Sequence, residues 1–172
     1  LQQVQTAVAD QADCIFICVP DQSMSASVVD LCKEGNVPVV SVDDGLIDEN
    51  GKRLAPWYGI DAYNIGKAAG EWMANYAKDN NLLDDPTAGI IYAEMPTVNS
   101  CVPRTQGEKE AWKAINGDAM ADRTYSFPYN ADENEAYVNC MAVITAHPEI
   151  KTWLVMTASE TASNAAAAAL EE

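Results

Sequence analysis

The fold class is decided by the stretch V-P-V-V-S-V-D-D-G, which runs from Val37 to Gly45. Its valines form an apolar, β-branched run that is too short for a helix and predicts a buried strand of a parallel sheet. The run ends abruptly in Asp43, Asp44 and a glycine. Because the carboxyl ends of strands in an open α/β sheet face the crevice where ligands bind, we expect both carboxylates to lie in a binding site.

Strand and helix patterns alternate on both sides of this stretch. An apolar strand at residues 14–19 and a helix at residues 24–34 precede it, and together they predict a right-handed βαβ unit with parallel strands. Further strands are expected at 57–60, 88–93, 124–127 and 152–156, and helices at 63–80, 106–115, 134–146 and 159–170. This order predicts an α/β fold of doubly wound, Rossmann-like parallel sheets.

A polar segment and the aromatic connector after it divide this pattern into two halves. We interpret residues 1–57 as part of an amino-terminal lobe, 58–61 as a hinge crossover, and 62–172 as most of a carboxy-terminal lobe. Apolar residues occur at helical spacing from Leu1 onward, with no capping residue before them. We therefore expect an internal fragment that is truncated at both ends.

The helix expected at residues 63–80 has large apolar side chains at helical spacing. They form a stripe made of Ile65, Ala69, Trp72, Met73 and Tyr76. Such a stripe predicts an amphipathic helix that packs through this face. Trp72, Trp112 and Trp153 are interpreted as core residues.

The composition excludes several classes of function. Ten Lys and Arg against 26 Asp and Glu give a net charge of −16, which repels nucleic acids and anionic membrane surfaces. No apolar run approaches the roughly 18 residues that span a bilayer. The five cysteines and single histidine show no metal-ligand spacing, so we expect no metal and no cofactor; calcium stays open in a chain this acidic, although it has no D-x-D-x-D-G loop. Cys14, Cys18 and Cys32 are interpreted as small core residues.

Several short motifs together resemble one known family. They are D-D-G at 43–45, N-G-K at 50–52, G-I-D-A-Y-N-I-G-K at 59–67, V-N-S-C-V-P-R-T-Q-G at 98–107 and A-H-P-E-I-K-T-W-L at 146–154. In this order they resemble the periplasmic sugar-binding proteins of ABC importers, most of all those that bind arabinose. The resemblance covers nearly the whole chain. It implies a type I periplasmic-binding-protein fold, in which two lobes close on one monosaccharide.

Three charged residues match ligand contacts of that family. Asp43 and Asp44 match a pair of aspartates, and Arg104, expected just before a helix of the second lobe, matches an arginine that donates to the sugar. Hydrogen bonds from hydroxyls to carboxylates and from Arg to oxygens are stronger than neutral ones. Adjacent strand residues point to opposite faces, so both aspartates reach one ligand only where the strand gives way to a loop. Alternatively, one aspartate caps a turn beside Gly45, and Arg104 forms a surface ion pair.

Ile60, Ser100 and Ser159 match further contact positions of the family. Ser100 stands where the family has a threonine. Ser159 stands where it has an asparagine, and a serine offers one hydroxyl in place of an amide. Ser159 is equally consistent with the N-cap of the last helix. Trp57 and Tyr58 are interpreted as packing residues of the hinge connector rather than as a platform for a sugar ring.

The resemblance implies a non-enzymatic, monomeric receptor in the periplasm or outside the cell, which delivers a pentose or hexose to the permease of an ABC importer. Two alternatives stay open. One is the effector-binding core of a lac-repressor-type regulator, which shares the two-lobed architecture. The other is an enzyme with Asp43 and Asp44 as its carboxylate pair. Glycosidase carboxylates stand roughly 5 to 9.5 Å apart across the scissile bond, a separation that neighbours in sequence do not easily satisfy.

Overall fold

The structure is a computed structural model that describes residues 1–98 and 100–171. It contains two compact units, which comprise Leu1–Asp61 with Thr97–Ser100 (unit 1) and Ala62–Pro96 with Cys101–Glu172 (unit 2). The chain therefore leaves unit 1 after Asp61 and contributes to it once more at Thr97. The division made from the sequence did not contain this second contribution. The hinge function of residues 58–61 stays a prediction.

Unit 1, within the described residues, is a sheet of three parallel strands with helices packed on it. Its elements in chain order are α1 (Gln2–Ala9), β1 (Ile15–Ile17), a 3-10 helix (Gln22–Met24), α2 (Ser25–Glu34), β2 (Val39–Val42) and β3 (Trp57–Tyr58). The strand order is β1-β2-β3, with Ile15 paired to Val39 and Ser41 paired to Trp57. The parallel βαβ unit predicted around the stretch of valines is confirmed.

Unit 2 has a second parallel sheet, whose order over the described residues is β5-β4-β6. Its elements are α3 (Ala62–Asp79), β4 (Ala88–Glu94), α4 (Cys101–Asn116), a 3-10 helix (Ala121–Arg123), β5 (Thr124–Pro128), α5 (Glu133–Ala146), β6 (Thr152–Thr157) and α6 (Glu160–Leu170). The central strand β4 is buried from Ala88 to Ala93, as expected for a parallel strand covered on both faces. The predicted α/β class with Rossmann-like parallel sheets is confirmed.

The face of α3 that packs into unit 2 only partly matches the predicted stripe: Met73 packs against the core, whereas Ile65 and Tyr76 are exposed. Its buried residues are Ala62, Gly66, Gly70, Ala74 and Ala77. Trp72, by contrast, is 64% exposed and stacks on Tyr76, with their ring centroids 5.3 Å apart. The reason is the close approach of α3 to α4, since a Cβ on Gly66 would overlap the carbonyl oxygen of Arg104. Two backbones this close bury small residues, so the predicted core position of Trp72 is wrong.

The helix α4 begins at Cys101, earlier than the predicted start at residue 106. Pro103 lies in its first turn, where backbone N–H groups have no partner within the helix, so the missing proline donor does no harm there. Arg104 is therefore inside the helix rather than before it. The prediction that Arg104 lies just before the helix is therefore wrong.

Candidate functional site

The end of β2 bends sharply at Asp43. This residue has φ of +62°, in the left-handed region that Asp enters more readily than most residues. The bend is held by two hydrogen bonds: the backbone N–H of Asp43 donates to Tyr58 O at 2.9 Å, and the indole Nε1 of Trp57 donates to Asp43 O at 2.8 Å. The strand thus ends just before Asp43, so the side chains of Asp43 and Asp44 are not forced onto opposite faces of the sheet. The packing role of Trp57 and Tyr58 in a hinge stays a prediction, and Tyr58 is 80% exposed.

The two carboxylates meet a third group in unit 1. Ligand atoms of Cys18, Asp43 and Asp44 all lie within 4.8 Å of one another. Asp43 is exposed, whereas Asp44 is only 4% exposed. The buried carboxylate accepts from the backbone N–H of Ser100 through Oδ1 at 3.0 Å, and Oδ2 lies 3.7 Å from the Cys18 sulfur. Asp44 is therefore held in one orientation by contacts from two distant parts of the sequence.

Cys18 is exposed rather than a core residue, which corrects the prediction made for it. It follows β1 directly, so its side chain lies beside those that follow β2. Desolvation raises the pKa of the Cys18 thiol, and the negative charges of Asp44 and Asp43 raise it further. The thiol therefore stays protonated at neutral pH and can donate to Asp44. Like the two aspartates, Cys18 follows the carboxyl end of a parallel strand, the position where ligands bind in open α/β sheets.

The same three groups are a weak cation site. A metal ion would need the thiolate form of cysteine, which the raised pKa of Cys18 disfavours. Both oxygens of Asp44 also face protein donors already. A ligand that brings its own hydroxyl donors fits this set better than a bare cation does, since each carboxylate oxygen can accept more than one hydrogen bond.

The remaining predicted positions of unit 1 lie near this strand end. Ile60 is 43% exposed just beyond β3. Gly59, the residue before it, packs so closely that a Cβ there would lie 2.5 Å from the carbonyl oxygen of Asp43. Ser100 contacts Asp44 through its backbone N–H, so its contribution to this contact does not depend on a hydroxyl.

Arg104 belongs to unit 2 and lies on the first turn of α4. Its Nη1 donates to the carbonyl oxygen of Ala158 at 2.6 Å, while its buried Nε has no partner in the structure. Among residues 1–98 and 100–171 it forms no ion pair, which argues against the surface ion pair considered above. The guanidinium thus joins α4 to the loop between β6 and α6, and its five N–H donors exceed what that one contact uses.

Ser159 follows β6 and is the N-cap residue of α6, but its side chain makes no capping hydrogen bond. Its hydroxyl oxygen lies instead 2.7 Å from the hydroxyl of Tyr129, a residue that is fully buried just beyond β5. The hydroxyl of Ser159 therefore belongs to a contact across the sheet. Sequence reasoning missed Tyr129, although it too follows a strand of the parallel sheet.

A buried acid lies one helical turn from Arg104. Glu108 is 3% exposed, and its Oε2 has no hydrogen-bond partner in the structure. Burial raises the pKa of Glu108 to about 8, against the lowering effects of the Arg104 and Lys109 charges. At neutral pH Glu108 is therefore mostly protonated and does not act as a buried counter-ion for Arg104.

These two groups of side chains, each within its own unit, have a clear family context. The chain matches the family described as periplasmic binding protein domain over residues 1–172. It belongs to this family. As a periplasmic binding protein domain it is 29% identical, over 149 residues, to the ABC transporter L-arabinose-binding periplasmic protein of Azospirillum brasilense, with 84% of this chain and 43% of that protein covered.

A second relative is the L-arabinose-binding periplasmic protein of Escherichia coli strain K12, 23% identical over 161 residues, with 91% of this chain and 47% of the relative covered. The chain thus spans less than half the length of these relatives. The solved structure of the Caulobacter myo-inositol binding protein bound to myo-inositol matches with a TM-score of 0.78 at 20% identity, covering 99% of this chain and 54% of that one. This likeness supports the fold, a periplasmic-binding-protein type I architecture. No helix in the described part of the chain is long and apolar enough to cross a membrane.

Proposed function

We propose that the protein is a solute-binding receptor for a monosaccharide, an arabinose-like pentose or a hexose, and that it delivers this sugar to an ABC importer. The observation that carries the proposal is the convergence of Asp43, Asp44 and Cys18 at the end of β2 and β1. Membership of the periplasmic binding protein domain family supports it. The names of the two relatives, both L-arabinose-binding, favour a pentose as the first ligand to test.

Each proposed contact follows from the chemistry of a sugar, whose hydroxyls both donate and accept. Asp44, and next to it Asp43, accept from hydroxyls near the anomeric carbon. Arg104 donates to the ring oxygen and a neighbouring hydroxyl with the N–H groups that Ala158 does not use. Ser159 adds one hydroxyl, and Ile60 adds an apolar contact to the ring. Charge-assisted hydrogen bonds of this kind contribute about 1.5 to 3 kcal/mol each.

The receptor acts without catalysis. Ligand binding closes two lobes, and the closed form is what the permease subunits recognise, a switch that needs no covalent step. We place the protein in the periplasm, as a monomer that binds neither nucleic acid nor a cofactor. Among the alternatives, an enzyme built on Asp43 and Asp44 predicts turnover of a labelled glycoside, whereas the receptor predicts none.

The test is calorimetric titration of the full-length protein with L-arabinose, D-xylose, D-ribose and D-galactose. We expect one of these sugars to bind with a 1:1 stoichiometry. Replacing the buried carboxylate, Asp44→Asn, should weaken that binding by about 10- to 150-fold, since it removes a charge-assisted acceptor while keeping the shape.

The matched control is Asp30→Asn, which removes an exposed carboxylate from α2 of the same unit. It should leave the affinity unchanged. Equal affinity of the wild type and Asp44→Asn would remove Asp44 from the site. Failure of all four sugars to bind to the wild type would refute the proposed function.

A further inference from the structure

Tyr129 is the most completely buried large polar side chain near the residues proposed to bind sugar. It lies just beyond β5, and its backbone N–H donates to Glu94 O at 3.0 Å, next to β4. Its side chain is 0% exposed. A buried phenol hydroxyl requires a hydrogen-bond partner, because leaving it unpaired is costly. The partner is the Ser159 hydroxyl, 2.7 Å away.

Burial of Tyr129 decides which hydroxyl of this pair donates, because Tyr129 is fully buried whereas Ser159 is partly exposed. Burial raises the pKa of Tyr129 above its ordinary value, against the smaller lowering effect of the Ser159 contact. The phenol therefore carries its proton at neutral pH. Among the described residues its one hydrogen-bond partner is the Ser159 oxygen, so this buried proton is satisfied only if Tyr129 donates to Ser159. A serine hydroxyl has one proton to donate and two lone pairs. Once its oxygen has accepted from Tyr129, its own proton is free to point elsewhere.

The backbone around Ser159 is held without the help of Tyr129. The carbonyl oxygen of Ser159 accepts from the Thr157 hydroxyl at 3.0 Å. The preceding residue, Ala158, donates its N–H to Ala93 O at 3.1 Å and accepts from Arg104 at 2.6 Å. Removing only the phenol oxygen should therefore leave the loop in place. What changes is the orientation of one hydroxyl.

We propose that Tyr129 is a positioning residue for sugar recognition: its hydroxyl donates to Ser159, so that Ser159 presents its proton to an acceptor oxygen of the bound sugar. The inference rests on the proposed function. It adds a specificity determinant that does not touch the ligand. The serine–tyrosine pair would select sugars that carry an oxygen at this position, where a serine alone could rotate to satisfy several alternatives.

The test is a double-mutant cycle in the full-length protein with L-arabinose as the titrant. Tyr129→Phe and Ser159→Ala should each weaken binding by about three- to ten-fold, the scale of one hydrogen bond. If Tyr129 acts through Ser159, the double variant binds no more weakly than Ser159→Ala. A merely structural role of Tyr129 gives multiplied losses instead, and that result overturns the proposal.

Two further variants sharpen the cycle. Tyr125→Phe removes another phenol oxygen from β5 and should leave affinity unchanged. Replacing Tyr129 with p-aminophenylalanine keeps an N–H donor at the same place and should restore binding to within about two-fold of the wild type. This variant also decides the case if Tyr129→Phe does not fold, since a folded p-amino variant with lost affinity contradicts the proposal.

The outcome separates this inference from the proposed function. If the wild type binds L-arabinose and loses affinity on Asp44→Asn while Tyr129 and Ser159 act independently, only the positioning role of Tyr129 is refuted. If the wild type fails to bind L-arabinose but binds another of the four sugars, the same cycle is run with that sugar. If it binds none of them, both conclusions fall together.

Discussion

The buried carboxyl of Glu108 makes the stability of the protein depend on pH in a direction that can be worked out. Burial and the nearby Glu94 charge raise the pKa of Glu108 from 4.5 to about 8, while Arg104 and Lys109 act in the opposite sense. The unfolded chain loses this proton near pH 4.5, whereas the native state keeps it until about pH 8. Between these values the native state binds more protons, so the free energy of unfolding falls as pH rises.

The size of this effect follows from the pKa. Each pH unit in that window lowers the free energy of unfolding by about 1.4 kcal/mol, so the loss reaches about 3 kcal/mol at pH 7. Glu108→Gln resembles the protonated acid at every pH. We therefore expect this variant to match the wild type at pH 4 and to be more stable by about 3 kcal/mol at pH 7.

The assay is urea unfolding of both proteins from pH 4 to pH 8, compared as a difference at each pH. Glu110→Gln is the control on the same helix, because hydrogen bonds from Tyr63 and Gln106 lower the pKa of Glu110 rather than raise it. That variant should gain no stability toward pH 8. A wild-type stability that exceeds that of Glu108→Gln at pH 7 would refute the reasoning, since it would mean that the ionised form of Glu108 is the stabilising one.

Two predictions concern the packing of α3. Gly66→Ala should lower the free energy of unfolding by about 1 to 3 kcal/mol, because its Cβ would overlap the Arg104 carbonyl and overpack the contact. The control Glu71→Ala, on the exposed face, should change this free energy by less than about 0.5 kcal/mol. Thermal unfolding measures both variants, and a stabilising Gly66→Ala would contradict the close approach of α3 to α4. Trp72→Ser should lower the free energy of unfolding by less than about 1 kcal/mol in the same measurement, because the side chain is exposed. A loss of about 3 kcal/mol or more, as for a core tryptophan, would show that Trp72 is buried.

The strands were predictable because their signal is local. The apolar segment of β4 is buried by neighbours on both faces, so an uninterrupted apolar stretch is sufficient to find it. The run that ends at Val42 was found by its β-branched residues, although the valines of β2 are half-buried and only Ser41 of that strand is fully buried. The packing face of α3 was not predictable in this way. Its hydrophobic pattern favours the face that bears Trp72, but the buried face is set by the closeness of α4, a property of two segments together. Glycines at Gly66 and Gly70, four residues apart, were the available signal for that closeness.

In the candidate site, too, some residues could be predicted from the local sequence and others could not. Asp43 and Asp44 were found because the ends of parallel strands face ligands and because a carboxylate pair is unusual in an apolar context. Cys18 and Tyr129 obey the same rule, but a cysteine or a tyrosine after a strand is just as common in a core. For Ser159 the sequence could not exclude a capping hydroxyl, because the hydroxyl is turned to Tyr129, which lies 30 positions away. Its role in binding stays a prediction.

The contacts that hold the proposed binding groups suggest how a surface this acidic can bind a neutral sugar with definite geometry. A sugar hydroxyl accepts and donates at once, so a site distinguishes sugars only if the direction of each donor and acceptor is fixed before binding. Asp44 is fixed by the Ser100 N–H, the Asp43 backbone by the Trp57 indole, and the loop before Ser159 by Arg104. Fixing these groups in advance removes an ordering cost from binding. Specificity in this protein should therefore respond to changes in such supporting residues, as well as in the side chains that touch the sugar.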